Sequence, residues 1–136
     1  EAMLAEAAAR ACAESAALAA DAVARAPAGH ALEAMLRAYL SPEHARQIEQ
    51  GCPVAALGSE THRQPPEVRR VFTRHIKETV DLLARQSPDW GGADAHETAL
   101  ATLSTMVGAL LLARAVDDAA LSQRLLDAAL KRLLPA

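Results

Sequence analysis

A run of 16 uncharged residues, positions 98–113, sits in the second half of the chain between Glu97 and Arg114. Extended to positions 99–116 it reads ALATLSTMVGALLLARAV, the longest apolar stretch present. Wound at about 100° per residue, a helix here has two unlike sides. Leu100, Leu103, Val107, Leu110 and Leu111 form a bulky side with Met106 at its margin, and Ala101, Thr105, Gly108 and Ala109 form a small one. A helix that is apolar nearly all round must be covered nearly all round. The bulky side predicts a leucine core. The small side predicts a close-approaching backbone, or room for a molecule that is not protein. A membrane span needs roughly 20 mostly apolar residues. This run is shorter and carries Thr98, Thr102, Ser104 and Thr105. It therefore reads as a buried helix, with no membrane as partner.

The other secondary structure follows from what the core can be made of. Hydrophobic residues make up 51% of the 136, but Tyr39, Phe72 and Trp90 are the only aromatics. The core must be Leu, Ala, Val and Met. Ala and Leu favour helix, and almost no alternating β-branched segment reads as a strand. The prediction is an all-α domain spanning residues 1–136. Fourteen basic against 17 acidic side chains leave a net charge of −3, unlike the basic balance of a domain that binds nucleic acid by itself. Cys12 and Cys52 are far apart. They suggest neither a disulfide scaffold nor a zinc framework, and fit a reducing cytoplasm. The five histidines, His30, His44, His62, His75 and His96, are scattered without metal-ligand spacing, so no metal and no cofactor is expected.

Proline and glycine divide the chain into about seven helices. Residues 1–26 form a long, slim, alanine-rich helix closed by Ala26-Pro27-Ala28-Gly29. Residues 30–40 form a short amphipathic one. Ser41-Pro42-Glu43 is a helix start, a Ser cap with Pro in the first turn, running to about Gln50. Further helices are expected over 54–64 and 66–86, followed by a turn-rich loop at 87–94 and then the central helix. After a bend at Asp117-Asp118 a last helix extends to about Pro135. Short, Pro-started helices predict a multi-helix orthogonal bundle rather than an up-down four-helix bundle.

Residues 51–60, GCPVAALGSE, and 65–69, PPEVR, resemble the middle of the regulatory domain of TetR/AcrR-type transcriptional repressors. Residues 106–116, MVGALLLARAV, followed by Leu121-Ser122, resemble the first dimerisation helix of that family and the start of the second. The opening EAMLAE is similar to the segment that follows the family's helix-turn-helix. The resemblance covers essentially the whole chain and implies a division of labour. The first helix would transmit motion to a DNA-binding domain absent from these residues, so DNA would be reached only through that missing N-terminal helix-turn-helix. The middle helices would enclose a small hydrophobic effector, and the last two would pair with a second copy as a four-helix bundle in a homodimer.

Two sets of candidate residues follow. For an effector pocket they are Met35, Tyr39, Leu57, Phe72, His75, Trp90, Thr102 and Met106, an apolar set with a few polar groups. For the dimer seam they are Leu103, Val107, Leu110, Leu111 and Arg114 with Leu121, Leu125 and Leu126. Each position also reads as ordinary core. Cys52, at a helix start, reads either as a thiol sensor or as a small buried residue. Arg63, Arg69, Arg70 and Arg74 are interspersed or followed by acidic residues and read as a solvated face. No nucleophile–base pair, paired carboxylates or phosphate loop supports an enzyme. A stand-alone oligomerisation domain would explain the last two helices but not the broken middle.

Overall fold

The computed structural model describes residues 2–47, 52–55, 60 and 62–134. Among these the chain forms helices and no strands. Six helices have defined bounds: α1 (Ala2–Arg25), α2 (Ala31–Tyr39), α3 (Pro42–Arg46), α4 (Pro66–Arg85), α5 (Ala95–Ala115) and α6 (Ala119–Leu133). The helix expected over 54–64 falls largely outside the described residues. The one expected to run to about Gln50 stops at Arg46, where the Gln47 N–H closes onto the Glu43 and His44 carbonyls. The apolar run itself is extended by one turn: α5 begins at Ala95, four residues before the apolar stretch at 99–116.

The joints are held by the signals that mark them. Ser41 Oγ accepts the backbone N–H of His44 at 3.1 Å, and Pro42 fills the first helical position, where no donor is needed. Asp118 Oδ1 accepts the N–H of Leu121 at 3.0 Å and starts α6. The corner between α5 and α6 is fastened by Ser122 Oγ, which donates to the Ala113 carbonyl at 2.8 Å. After α1 the chain reverses through Gly29, whose φ of +82° is the left-handed region that favours glycine.

The main core gathers Met35 and Leu36 of α2, Val80, Leu83 and Ala84 of α4, and Ala95, Ala99 and Met106 of α5. A second cluster joins Leu40 to Ala109 and Ala113 of α5 and to Leu126 and Ala129 of α6. At the opposite end Ala8 of α1 meets Val68 and Phe72 of α4. In α1 the large apolar residues are turned outward: Met3, Leu4 and Leu18 are exposed, while Ala8 and Cys12 are buried. Its small face lets α2 and α4 come close.

The sides of α5 divide differently from the sequence reading. Its buried arc is Ala95, Ala99, Met106, Ala109, Leu110 and Ala113. The side of small residues faces largely outward, with Ala101 and Thr105 exposed and Gly108 half-buried. Leu100, Leu111 and Leu112 are exposed beside it. By length and composition α5 is also apolar enough to cross a membrane, but its inner arc is occupied by α2, α4 and α6.

Leu36 has no exposed surface. Leu36→Ala should therefore cost about 3 kcal/mol of unfolding free energy, and Ser41→Ala about 1 kcal/mol. Urea titration followed by circular dichroism measures both.

Candidate functional site

The alanine face of α1 does not close completely on the helices beside it. A cavity of about 420 Å3 remains, walled by α1, α2, α4 and α5. That volume lies in the range of roughly 300–1,000 Å3 that holds small organic ligands. Ala16, Ala19 and Ala22 line it from α1, Met35 and Tyr39 from α2, His75, Ile76 and Leu82 from α4, and Leu103 and Met106 from α5. Cys52 and Val54 line it from the segment between α3 and α4.

Polar side chains line it too, among them Asp21, Tyr39, Glu43, His44, His75 and Glu78. The Tyr39 hydroxyl is buried and has no hydrogen-bond partner among the described residues. Burial, with Cys52 beside it, pushes its pKa far above the usual tyrosine range, so it stays a neutral O–H. His75 is 6% exposed, and its burial lowers its pKa, an effect that Glu78 partly opposes. Outside the lining, the Cys12 thiol of α1 is pushed up to about 11, chiefly by burial.

His44 joins the segments at one end of the cavity. Its Nδ1 lies 2.7 Å from the Tyr39 carbonyl, and its Nε2 accepts the Cys52 backbone N–H at 2.9 Å. Only a neutral imidazole with the proton on Nδ1 makes both bonds. Burial lowers the His44 pKa, and the Arg114 charge lowers it further, against the hydrogen bond to Tyr39. The ring also stands edge-on to Tyr39, with centroids 4.6 Å apart. Arg114, near the end of α5, reaches the same place. Its Nη2 donates to the His44 carbonyl at 2.8 Å and its Nε to the Ala45 carbonyl at 3.1 Å. A cation at a helix C-terminus satisfies carbonyls that have no helical partner. Tyr39, His44, Cys52 and Arg114 thus tie a cavity wall to α5.

A family model for the C-terminal domain of LmrA/YxaF-like transcriptional regulators, of the TetR type, matches residues 28–128. The chain belongs to this family. A search of curated protein sequences finds no match. LmrA/YxaF-like domains are the ligand-binding and dimerisation parts of transcriptional regulators, and the matched span runs from the start of α2 through most of α6.

Within this LmrA/YxaF-like domain the eight residues expected to meet an effector separate. Met35, Tyr39, His75 and Met106 line the one cavity. Phe72 is buried at the other end of α4 with Ala8 and Val68, beside a smaller pocket of about 190 Å3. Thr102 is half-buried on α5 and does not line the cavity. Leu57 lies outside the described residues. Trp90 is 48% exposed. It lies under the Arg85 guanidinium, 5.5 Å from its ring centroid, and 5.7 Å from the His96 ring, while Asp81 pairs with both Arg85 and His96. Those contacts pin the loop at 87–94 to α4 and α5.

The expected seam separates too. Leu111 and Leu121 are exposed, and Val107 and Leu125 are half-buried. Leu110 and Leu126 are buried within the chain, Leu103 lines the cavity, and Arg114 is engaged with α3. Sequence reasoning missed the His44–Arg114 contact, because the two residues are separated by 70 positions. It also missed the alanines of α1, which resemble any helix surface until α2 and α4 lie against them.

An unfolded chain protonates His44 and His75 near their ordinary pKa of 6.5, whereas the folded chain holds both neutral to lower pH. The unfolded state therefore takes up more protons as pH falls below that value. The contribution of these histidines is complete above about pH 6.5 and is lost on acidification. Urea midpoints measured between about pH 5 and pH 7.5 should fall toward acid. His44→Ala should cost about 1–2 kcal/mol at neutral pH and flatten that slope.

Proposed function

We propose that this chain is the effector-binding and dimerisation domain of a cytoplasmic TetR-type transcriptional repressor, with no catalytic activity of its own. A small, mostly apolar effector would occupy the cavity between α1, α2, α4 and α5. The observation that carries this reading is the cavity itself, with Ala19, Met35, Ile76, Leu82, Leu103 and Met106 on its wall. Regulation requires the effector to prefer one conformation; equal affinity for both would switch nothing. The path open to such a preference is short. A ligand that shifts Tyr39 also moves His44, and with it the carbonyls that hold Arg114 of α5. DNA would be contacted only through an N-terminal helix-turn-helix, toward which α1 would transmit the change.

In this reading α5 and α6 pair with their copies in a second subunit. The face that suits this role is the outward arc of α5, with Leu100, Leu111 and Leu112 exposed around small residues, continued by Leu121 on α6. A β-carbon added at Gly108 would meet nothing within 4 Å in this chain, so a larger residue there tests the interface without disturbing the protomer.

Two measurements check the proposal. Wild type should sediment as a dimer of the 14.3 kDa chain. Gly108→Leu and Leu112→Glu should sediment as monomers with helical spectra retained, and dimers for both would refute the face. In a thermal-shift screen, an apolar ligand at 100 times its dissociation constant should add about 2.7 kcal/mol of stability. Ala19→Phe, which fills the cavity, should abolish that gain. If no apolar compound stabilises the wild type, the effector role is wrong.

A further inference from the structure

The 420 Å3 cavity has a neighbour in line with it. The smaller space of about 190 Å3 is lined by Leu4, Ala8 and Ala11 of α1, by Pro53, and by Val68 and Phe72 of α4. The same three parts of the chain line the larger cavity one step further along. On α1 the lining passes from Ala11 to Ser15, on α4 from Phe72 to His75, and between α3 and α4 from Pro53 to Cys52. At about 1.5 Å per residue these steps are roughly 6 Å on α1 and 4–5 Å on α4. The lining residues on α1 run from Leu4 to Ala11 for the smaller space and from Ser15 to Ala22 for the larger. Each run extends about 10 Å along the helix axis. The two spaces therefore lie end to end along α1, one helical turn apart.

Side chains in contact stand between them. Val54 lines the larger cavity and packs against the cluster of Ala8, Val68 and Phe72, all three of which line the smaller. Buried Cys12 stands on α1 between Ala11 and Ser15 and lines neither space. Val54 and Phe72 each have more than one staggered χ1 well, so the partition can open by side-chain rotation with the helices in place. Apart from Glu60 and Gln64, the lining of the smaller space is apolar. A compact ring system fits inside one space or the other. Only a long, narrow, apolar body reaches both.

Resting on the cavity reading above, we propose that the effector carries a long unbranched alkyl chain, which fills the larger cavity, passes between Val54 and Phe72, and ends in the smaller space. A series of one chemistry and rising length tests this: the straight-chain alcohols decanol, dodecanol, tetradecanol and hexadecanol. Their dissociation constants are measured by equilibrium dialysis of the radiolabelled compounds. Burying a methylene tightens binding about fourfold, whereas one left in water adds nothing. In the wild type the tightening should continue from decanol to hexadecanol. Ala11→Phe, which fills the smaller space, should leave decanol unchanged and stop the gain at longer chains. Ala7→Phe, at an exposed residue of the same lining, should blunt it in the same direction, and melting curves of both variants report their folding. Ala19→Phe should remove binding of all four. Hexadecanol binding no tighter than decanol, or a length dependence that both folded variants keep, would overturn the long chain and leave the cavity role standing. If no alcohol binds the wild type, both readings fail together.

Discussion

Burial of one side of α5 organises the rest of the molecule. Its inner arc is nearly all alanine, with Met106 and Leu110 as the large members. Small residues there let α2, α4 and α6 come close, so three helices share one helix as their floor. Had the inner arc been the leucine side, the neighbours would stand farther off and the leucines of α2 and α4 would not meet Met106. Placing the alanines of this arc inward leaves Leu100, Leu111 and Leu112 outside, beside Ala101, Thr105 and Gly108. A helix apolar all round but covered on one side retains apolar surface to bury. The same division that closes the core therefore leaves a face suited to a second copy.

One interaction connects that helix to the cavity. Arg114 satisfies carbonyls at the end of α3, a helix of five residues that could not hold its own shape without help. His44 fixes the same short helix to the Tyr39 carbonyl and to the Cys52 backbone. Each group is half-buried, so each bond is screened from water less than a surface bond would be. The cluster makes the cavity wall and α5 a single mechanical unit. It also makes the fold dependent on neutral histidine, because a proton on His44 Nε2 would face the Cys52 N–H donor to donor.

The sequence reading was most successful where a residue's neighbours along the chain decide its state. Ser41-Pro42, Pro65-Pro66 and Asp118 begin helices in the structure, as local hydrogen bonding requires. Met35, Tyr39, His75 and Met106 were legible as possible ligand contacts because each combines helical placement with an unusual side chain, and they do line one cavity. Trp90 was an equally good candidate on the same grounds. Its position in a loop beside Arg85 and His96 is a matter of how α4 and α5 are joined, which no local pattern encodes.

What the sequence determined by itself is helix: its alanine and leucine content, its caps, its breaks at Pro and Gly, and the absence of alternation for strands. These depend on contacts within about four residues and on backbone freedom at single positions. Tertiary structure alone decided which side of each helix faces inward. On α5 both sides are apolar, so hydrophobicity could not choose between them, and the fit of its arc of alanines, Met106 and Leu110 against its neighbours did. It likewise decided that Arg114, Leu110 and Leu126 work within the chain, and that alanines of α1 wall a cavity. Those outcomes depend on distances between residues remote in sequence, and only packing sets them.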